Sequence, residues 1–440
     1  MINKERATHI VEQALAASKS DDTQITVSGG RRTHLRFARN GVTTSGTDEH
    51  RTLSVQASFG NRSASASGND FTAAGIEDVL RRAEALARLA PPDPEHMPTL
   101  GPQKYIAVDP PSPTQDPEGM SRGVKICTDA ASKGGLFAAG FGLDTQNYRC
   151  TASKNGVFAW HASSSASLST TVRTPEGTGS GWAARAGNRV EDLDFEAVAE
   201  TAVRKAEMSA NTTRLEPGSY VTILEPACVA SLLGLLTGSL SARSAEEGRS
   251  FFSKPGGRDK LGEPLFPEWL HLRSDPAFKG SPASPWTAGG LPRKARDWIT
   301  GGAVRRFTRS RYWAEKTGKP VEADAGSWQL TTDGEVVDDL VATTERGVLI
   351  TSLWYIRSVD PQTLLFTGLT RDGVFWIEDG QITRPVNNFR WNDSPISVLE
   401  NAVAVTESSR PGGRGGGGGQ MFVPALKTTK FALSSVSDAV

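Results

Sequence analysis

The sequence is poor in the residues that bind metals and form bridges. It has six His and three Cys in 440 residues. Cys127, Cys150 and Cys228 are too few and too scattered for a disulfide framework or a Cys-rich zinc module. Neither sign of charge is in excess: 49 Lys+Arg face 49 Asp+Glu. That balance argues against bulk electrostatic capture of nucleic acid or of an anionic membrane. No run approaches the roughly 20 apolar residues of a membrane-spanning helix, and the opening MINKERATHI is too polar for a secretory signal. A soluble, cytoplasmic chain is expected, with no nucleic-acid partner and no membrane partner. Hydrophobic residues at 37% are enough for a folded protein, and the length exceeds what one core usually supports, about 250–300 residues.

What is present falls into an order. Residues 2–18 have a helical apolar stripe of Ala7, Ile10, Val11, Ala14 and Leu15. Short alternating segments follow (TQITVSG, THLRFARNGV, RTLSVQASFG, NRSASASGND), with Asn40-Gly41 as a hairpin signal. A helix over about 73–89, capped by Asp70 or Thr72, ends before Pro91-Pro92. Eight prolines between 91 and 115 mark a stiff linker. Asp116-Pro117 opens the next helix, with Met120, Val124, Cys127 and Ala131 on its apolar face.

The same pattern then repeats. Asn155-Gly156-Val157 matches Asn40-Gly41-Val42 at an offset of 115, and Arg204-Lys205-Ala206-Glu207 matches Arg81-Arg82-Ala83-Glu84 at 123, which predicts one loop eight residues longer in the second copy. Beyond Glu216 the character changes. Eight of the ten Trp lie there, in strand-like pieces such as YVTILE, VRRFTRSRYWA and GVLITSLWYIR, with helices only near 226–240 and 394–402. The chain is read as α+β: two related N-terminal α+β units with antiparallel sheets (1–90 and 116–214, joined by 91–115), then a mainly-β C-terminal domain, 215–440.

Few side chains offer chemistry by themselves. Cys228 opens a helix where amides and the dipole lower a thiol pKa, but it shares a face with Leu232, Leu235 and Leu236, and a packed core cysteine is the favoured reading. His161, beside Trp160, has no second ligand in register. The run PGGRGGGGGQ lacks the strand–loop–helix setting of a phosphate cradle and reads as a surface loop. The basic cluster Arg293–Arg311 is the one charge bias. If VRRFTRSRYW is a strand, Arg305, Arg309 and Arg311 share a face suited to a peptide carboxylate, an acidic partner or nucleic acid, although a solvated face paired with local acids is the favoured reading. An exposed edge strand in the last domain would add an extended peptide by backbone hydrogen bonds.

The ordered set YVTILEPACVASLLGLLTGSLSA, LGEPLFPEWLHLRSDP, GVLITSLWYIR, TGLTRDGVFWIEDGQITRPV and SPISVLENAVAVTES resembles the TldD/PmbA family, peptidase-associated proteins also called modulators of DNA gyrase. The resemblance implies a metallopeptidase setting. Catalytic, TldD-type members carry His-Glu-x-x-x-His on the helix and a late Cys, which together hold zinc. Set against that pattern, Gly234, Leu235 and Ser239 stand where His, Glu and His would be, and the Cys would fall near Gly416. The family's Asp-x-Glu-Gly reads as Thr287-Ala288-Gly289-Gly290. The chain is therefore similar to the PmbA/TldE-type subunit. The expectation is no catalytic residue, no metal and no cofactor in this chain, with zinc in a TldD-type catalytic partner and peptides or unfolded segments as substrate. Two alternatives stand beside it: a stand-alone homodimeric peptide-binding or scaffolding protein, and a metal-independent hydrolase using Cys228.

Overall fold

A computed structural model describes residues 1–109, 111–112, 114–414 and 420–437. The repeat is present as two copies of one motif. The first is α1 (Lys4–Ala17), β1 (Asp22–Ala38), β2 (Gly41–Phe59), β3 (Arg62–Gly68) and α2 (Ala73–Leu89). The second is α3 (Pro117–Lys133), β4 (Phe137–Ser153), β5 (Phe158–Arg173), β6 (Ser180–Gly187) and α4 (Phe195–Met208). Asn3, Thr72, Asp116 and Asp194 cap the four helices, each accepting from the amide three residues on. Each cap satisfies a donor that a first helical turn leaves free.

The strands differ from the sequence reading in length. TQITVSG and THLRFARNGV are parts of one 17-residue strand, β1. Gly29 and Gly30 between them mark a close approach rather than a turn: a Cβ at Gly29 would lie 2.4 Å from the Tyr148 hydroxyl of β4. The hairpin turn is also one residue earlier than expected. Ala38 pairs with Gly41, and Arg39 (φ 50°) and Asn40 (φ 61°) occupy the two left-handed positions. Asn40 fills its place because its amide bonds both Leu136 O (2.8 Å) and Ala138 N (2.6 Å) on the next unit. The extra residues of the second copy are split between 174–179 and 188–194, not placed in one loop.

β1 and β4 pair antiparallel along most of their length, so the two units share one six-stranded sheet, β3-β2-β1-β4-β5-β6. Alternate residues of β1 face one side of it. Ile25 and Val27 pack with α1 and α2; Leu35 and Phe37 pack with α3 and α4. All four helices therefore cover the same face, and the opposite face is free to meet the rest of the chain. The proline-rich segment has no helix or strand but is tied at several points. Thr99 donates to Asp22, Ser112 N donates to Ser164, and Gln146 donates to Ser112 O.

The C-terminal domain is strand-rich. β7 (Gly218–Leu224) lies inside a nine-stranded sheet between the strands Leu426–Ser437 and Arg346–Ile350. A five-stranded sheet, containing Leu270–Ser274 and Arg296–Thr300, packs into the same core. Trp286, Trp298 and Trp391 are fully buried, which accounts for the concentration of Trp here. Helix α5 (Pro226–Gly238) shares that core, followed by short α6 (Ala242–Glu246), α7 (Arg311–Thr317) and α8 (Pro395–Glu400). α6 and α7 have too few residues to leave a periodic signal in the sequence. α7 also overturns the strand expected over VRRFTRSRYWA, because Ser310 caps a helix there by accepting from Trp313 N. Among the described residues, no helix is long and apolar enough to cross a membrane.

Candidate functional site

Pro226 starts α5 without wasting a donor. Cys228, Val229, Leu232, Leu233 and Leu236 form its buried side. Ser231, Gly234, Leu235 and Gly238 form the opposite stripe, which is partly exposed. The strand Met421–Phe422 passes over this stripe, and a Cβ added at Gly234 would sit 3.8 Å from Met421 Cε. So Gly234, Leu235 and Ser239 lie together, near where the chain returns from the glycine run. Gly416 and that run lie outside the described residues.

The donor set there does not fit zinc. Zinc needs three or four imidazole, thiolate or carboxylate ligands. Gly234 and Leu235 supply none, and the Ser239 hydroxyl bonds back to Leu235 O at 3.1 Å. Among the described residues no three His, Cys, Asp or Glu side chains converge as metal ligands. Thr287-Ala288-Gly289-Gly290 has also taken another role. It is a turn whose Gly290 adopts φ +81°, and its carbonyls accept from Tyr105 (2.8 Å) and Gln24 (3.2 Å). The turn is a docking point for Gln24 of the first unit and Tyr105 of the proline-rich segment.

The N-terminal end of α5 meets the central unit through buried charge. Lys205 of α4, 5% exposed, donates to Glu225 at 2.6 Å and to Trp182 O. Asp372, buried, accepts from Ser180 of β6 (2.7 Å) and pairs with Arg414, whose guanidinium lies over Trp182 and Trp354. Cys228 is buried here. Burial pushes its thiol pKa well up, with the Glu225 charge adding to the effect, and its Sγ faces Ile350 O at 3.5 Å. A thiol held neutral and out of reach of solvent is no nucleophile. His271 is engaged elsewhere, accepting from Gly301 N and pairing with Asp333.

The three arginines expected on one face are dispersed. Arg305 is exposed. Arg309 is buried and paired with Glu246 of α6 at 3.1 Å. Arg311 opens α7 and donates to Pro98 O at 2.5 Å, bracing the proline-rich segment. Alternation would place them together on one continuous strand, but Arg305 and Arg309 lie in an irregular stretch and only Arg311 is in α7. An edge that the sequence could not locate is visible instead. The strand Leu353–Asp360 ends the nine-stranded sheet and exposes Trp354, Tyr355 and Val359, with Arg357 over the Tyr355 ring and Arg371 over Trp354.

Fold and site together define a class: a doubled α+β unit joined by a strap to a strand-rich domain, whose helix α5 offers no metal ligands at Gly234 and Leu235. Models of the PmbA/TldA metallopeptidase match all three parts: domain 1 over 24–87, the central domain over 113–210 and the C-terminal domain over 217–435. The chain belongs to the PmbA/TldD family. A metalloprotease PmbA homolog of Buchnera aphidicola is 23% identical over 147 residues, 32% of either chain, so the match spans about a third of that relative. The fold of TldE from Thermococcus kodakarensis superposes with a TM-score of 0.82 at 18% identity, covering 97% of this chain and 99% of that one. A candidate modulator of DNA gyrase from Thermotoga maritima gives 0.82 at 14% identity with the same coverage.

Proposed function

We propose that this chain is the metal-free, TldE-like subunit of a two-component metallopeptidase, acting on peptides or unfolded segments through the zinc of a TldD-type partner. What supports this reading is that Gly234 and Leu235 of α5 and Ser239 just after it, set against the family's His-Glu-x-x-x-His, offer no zinc ligand in a domain that matches the family's C-terminal model. Its role is then to complete the chamber around the partner's metal. The edge strand Leu353–Asp360 supports the substrate class. An edge strand can pair with an extended backbone, and Trp354 and Tyr355 offer apolar contacts that do not depend on sequence.

Co-expression with a TldD-type subunit tests the reading. The expected result is a co-purifying complex that cleaves an unfolded substrate such as reduced casein, while the isolated chain cleaves nothing and carries no zinc by elemental analysis. Stoichiometric zinc in the isolated chain, or hydrolysis by it alone, would overturn the proposal. Self-association with no binding to the catalytic subunit would favour a homodimeric peptide-binding scaffold instead.

A further inference from the structure

A cleft lies where the end of β6 meets the C-terminal domain. Its volume is about 480 Å³, and Arg185, Arg189, Lys279 and Arg410 line it together with Asn188 and Asp192. The charges do not balance. Asp192 is committed to its own turn: Oδ2 accepts from the amides of Asn188 (2.8 Å) and Arg189 (3.0 Å), and Oδ1 faces Arg189. Arg189 also pairs with Glu191 at 3.2 Å. Among the described residues no carboxylate pairs with Arg185, Lys279 or Arg410.

Arg410 is the telling member. It is only 6% exposed, its Nε has no partner, and its Nη1 donates to Asn188 Oδ1 at 2.8 Å. Asn188 in turn donates to Lys279 O at 2.8 Å, so one amide orients the guanidinium and braces the loop that carries the lysine. Ala186 N donates to Arg410 O, fixing the backbone against the β6 edge. Burial disfavours this guanidinium, and the Asp192 charge, outside ion-pair distance, offsets that only in part. A planar, pre-oriented fork is also what two-oxygen anions bind best. We propose that this cleft binds an oxyanion, a phosphate or a carboxylate, between Arg410, Lys279 and Arg185. The cavity is larger than an inorganic ion needs, so a carboxylate carried by a peptide fits as well as free phosphate.

Isothermal titration of the full chain tests this with two probes: inorganic phosphate, and a short peptide with two adjacent aspartates, whose di-asparagine counterpart is the control. Saturable one-to-one binding of either probe is expected, and which one binds identifies the source of the oxyanion. Lys279→Ala and Arg185→Ala, both at exposed side chains, are each expected to weaken binding by at least about tenfold. Arg410→Met is expected to abolish it, with the unfolding midpoint as a check on folding. No saturable binding of either probe up to about 10 mM, or affinity unchanged in the Arg185→Ala/Lys279→Ala double variant (an adventitious ion only), would overturn the proposal.

Discussion

Glu246 is a buried acceptor whose removal should destabilise the C-terminal domain. Its carboxylate, 8% exposed, accepts from Arg309 (3.1 Å), Trp313 Nε1 (2.5 Å) and Lys319 (2.7 Å). Burial opposes the charge, but the bonds from Lys319, Trp313 and Arg309 outweigh it and hold the carboxyl below its ordinary range. Arg309 is equally buried and has no other carboxylate within reach among the described residues. Glu246→Ala therefore leaves an uncompensated buried guanidinium, at a cost of about 3–5 kcal/mol. Arg309→Met should cost clearly less, because Lys319 and Trp313 still satisfy the glutamate. Lys319→Ala removes a half-exposed partner and should cost under about 1 kcal/mol. Glu246→Leu with Arg309→Met should recover much of the loss, since an apolar pair of similar volume needs no counter-charge.

Urea unfolding followed by Trp fluorescence is the assay, read at the transition that reports on Trp313, because a three-part chain need not unfold in one step. The sign with pH is fixed as well. A carboxyl whose pKa is depressed by folding contributes stability that is present above its unfolded value, near 4.5, and lost as pH falls through the folded value. Glu246→Ala should flatten that acid limb. If Glu246→Ala cost no more than Lys319→Ala, the pair would be a surface contact, and Arg309 would again be free to meet a peptide.

Three further outcomes follow from the same geometry. Glu225→Ala should destabilise the docking of α5 on the central unit by about 3–5 kcal/mol, more than Lys205→Met, because it strands the more deeply buried lysine; limited proteolysis between residues 208 and 218 reads the loosening. His161 is pushed down to about 4 by burial, with the Arg293 charge adding to it, so stability should be lost as pH falls from about 6.5 towards 4 as the unfolded state takes up the proton first; His161→Gln should remove that slope in a pH series of unfolding midpoints. Cys228 should resist dithionitrobenzoate until the chain unfolds, and Cys228→Ala should cost about 1 kcal/mol without changing peptide hydrolysis by the two-subunit complex.

The helices and the repeat were legible because they rest on local rules. Caps at Thr72 and Asp116 and the stripe Ile76, Val79, Leu80 and Ala83 need nothing beyond their own neighbours. Strand extent was not, because Gly29-Gly30 reads as a break unless Tyr148 is known to cross it from 119 residues away. The arginine face failed for a similar reason. A seven-residue helix, α7, carries too little periodicity to overrule the alternation of VRRFTRSRYW, and only Glu246, far upstream, shows that Arg309 points inward. The reading of Gly234, Leu235 and Ser239 as positions without ligands rests on comparison with a family pattern. No composition reveals that a side chain is absent from one particular turn.

The charges buried at the seam give the absence a structural meaning. Lys205–Glu225, Asp372 with Ser180 and Arg414, and Arg410 with Asn188 all lie where the central unit meets the C-terminal domain, two of them flanking the ends of the segment that leads into the glycine run. Apolar side chains of the same volume would stabilise such a seam at least as well. What ion pairs and hydrogen bonds supply instead is one relative orientation, since each is satisfied only when both domains present their atoms at bonding distance. A hydrolase with its own metal fixes its site through the metal's ligands. If the chain is the metal-free subunit proposed above, it contributes to a neighbour's chamber only through the position of its walls, and polar contacts around α5 fix that position.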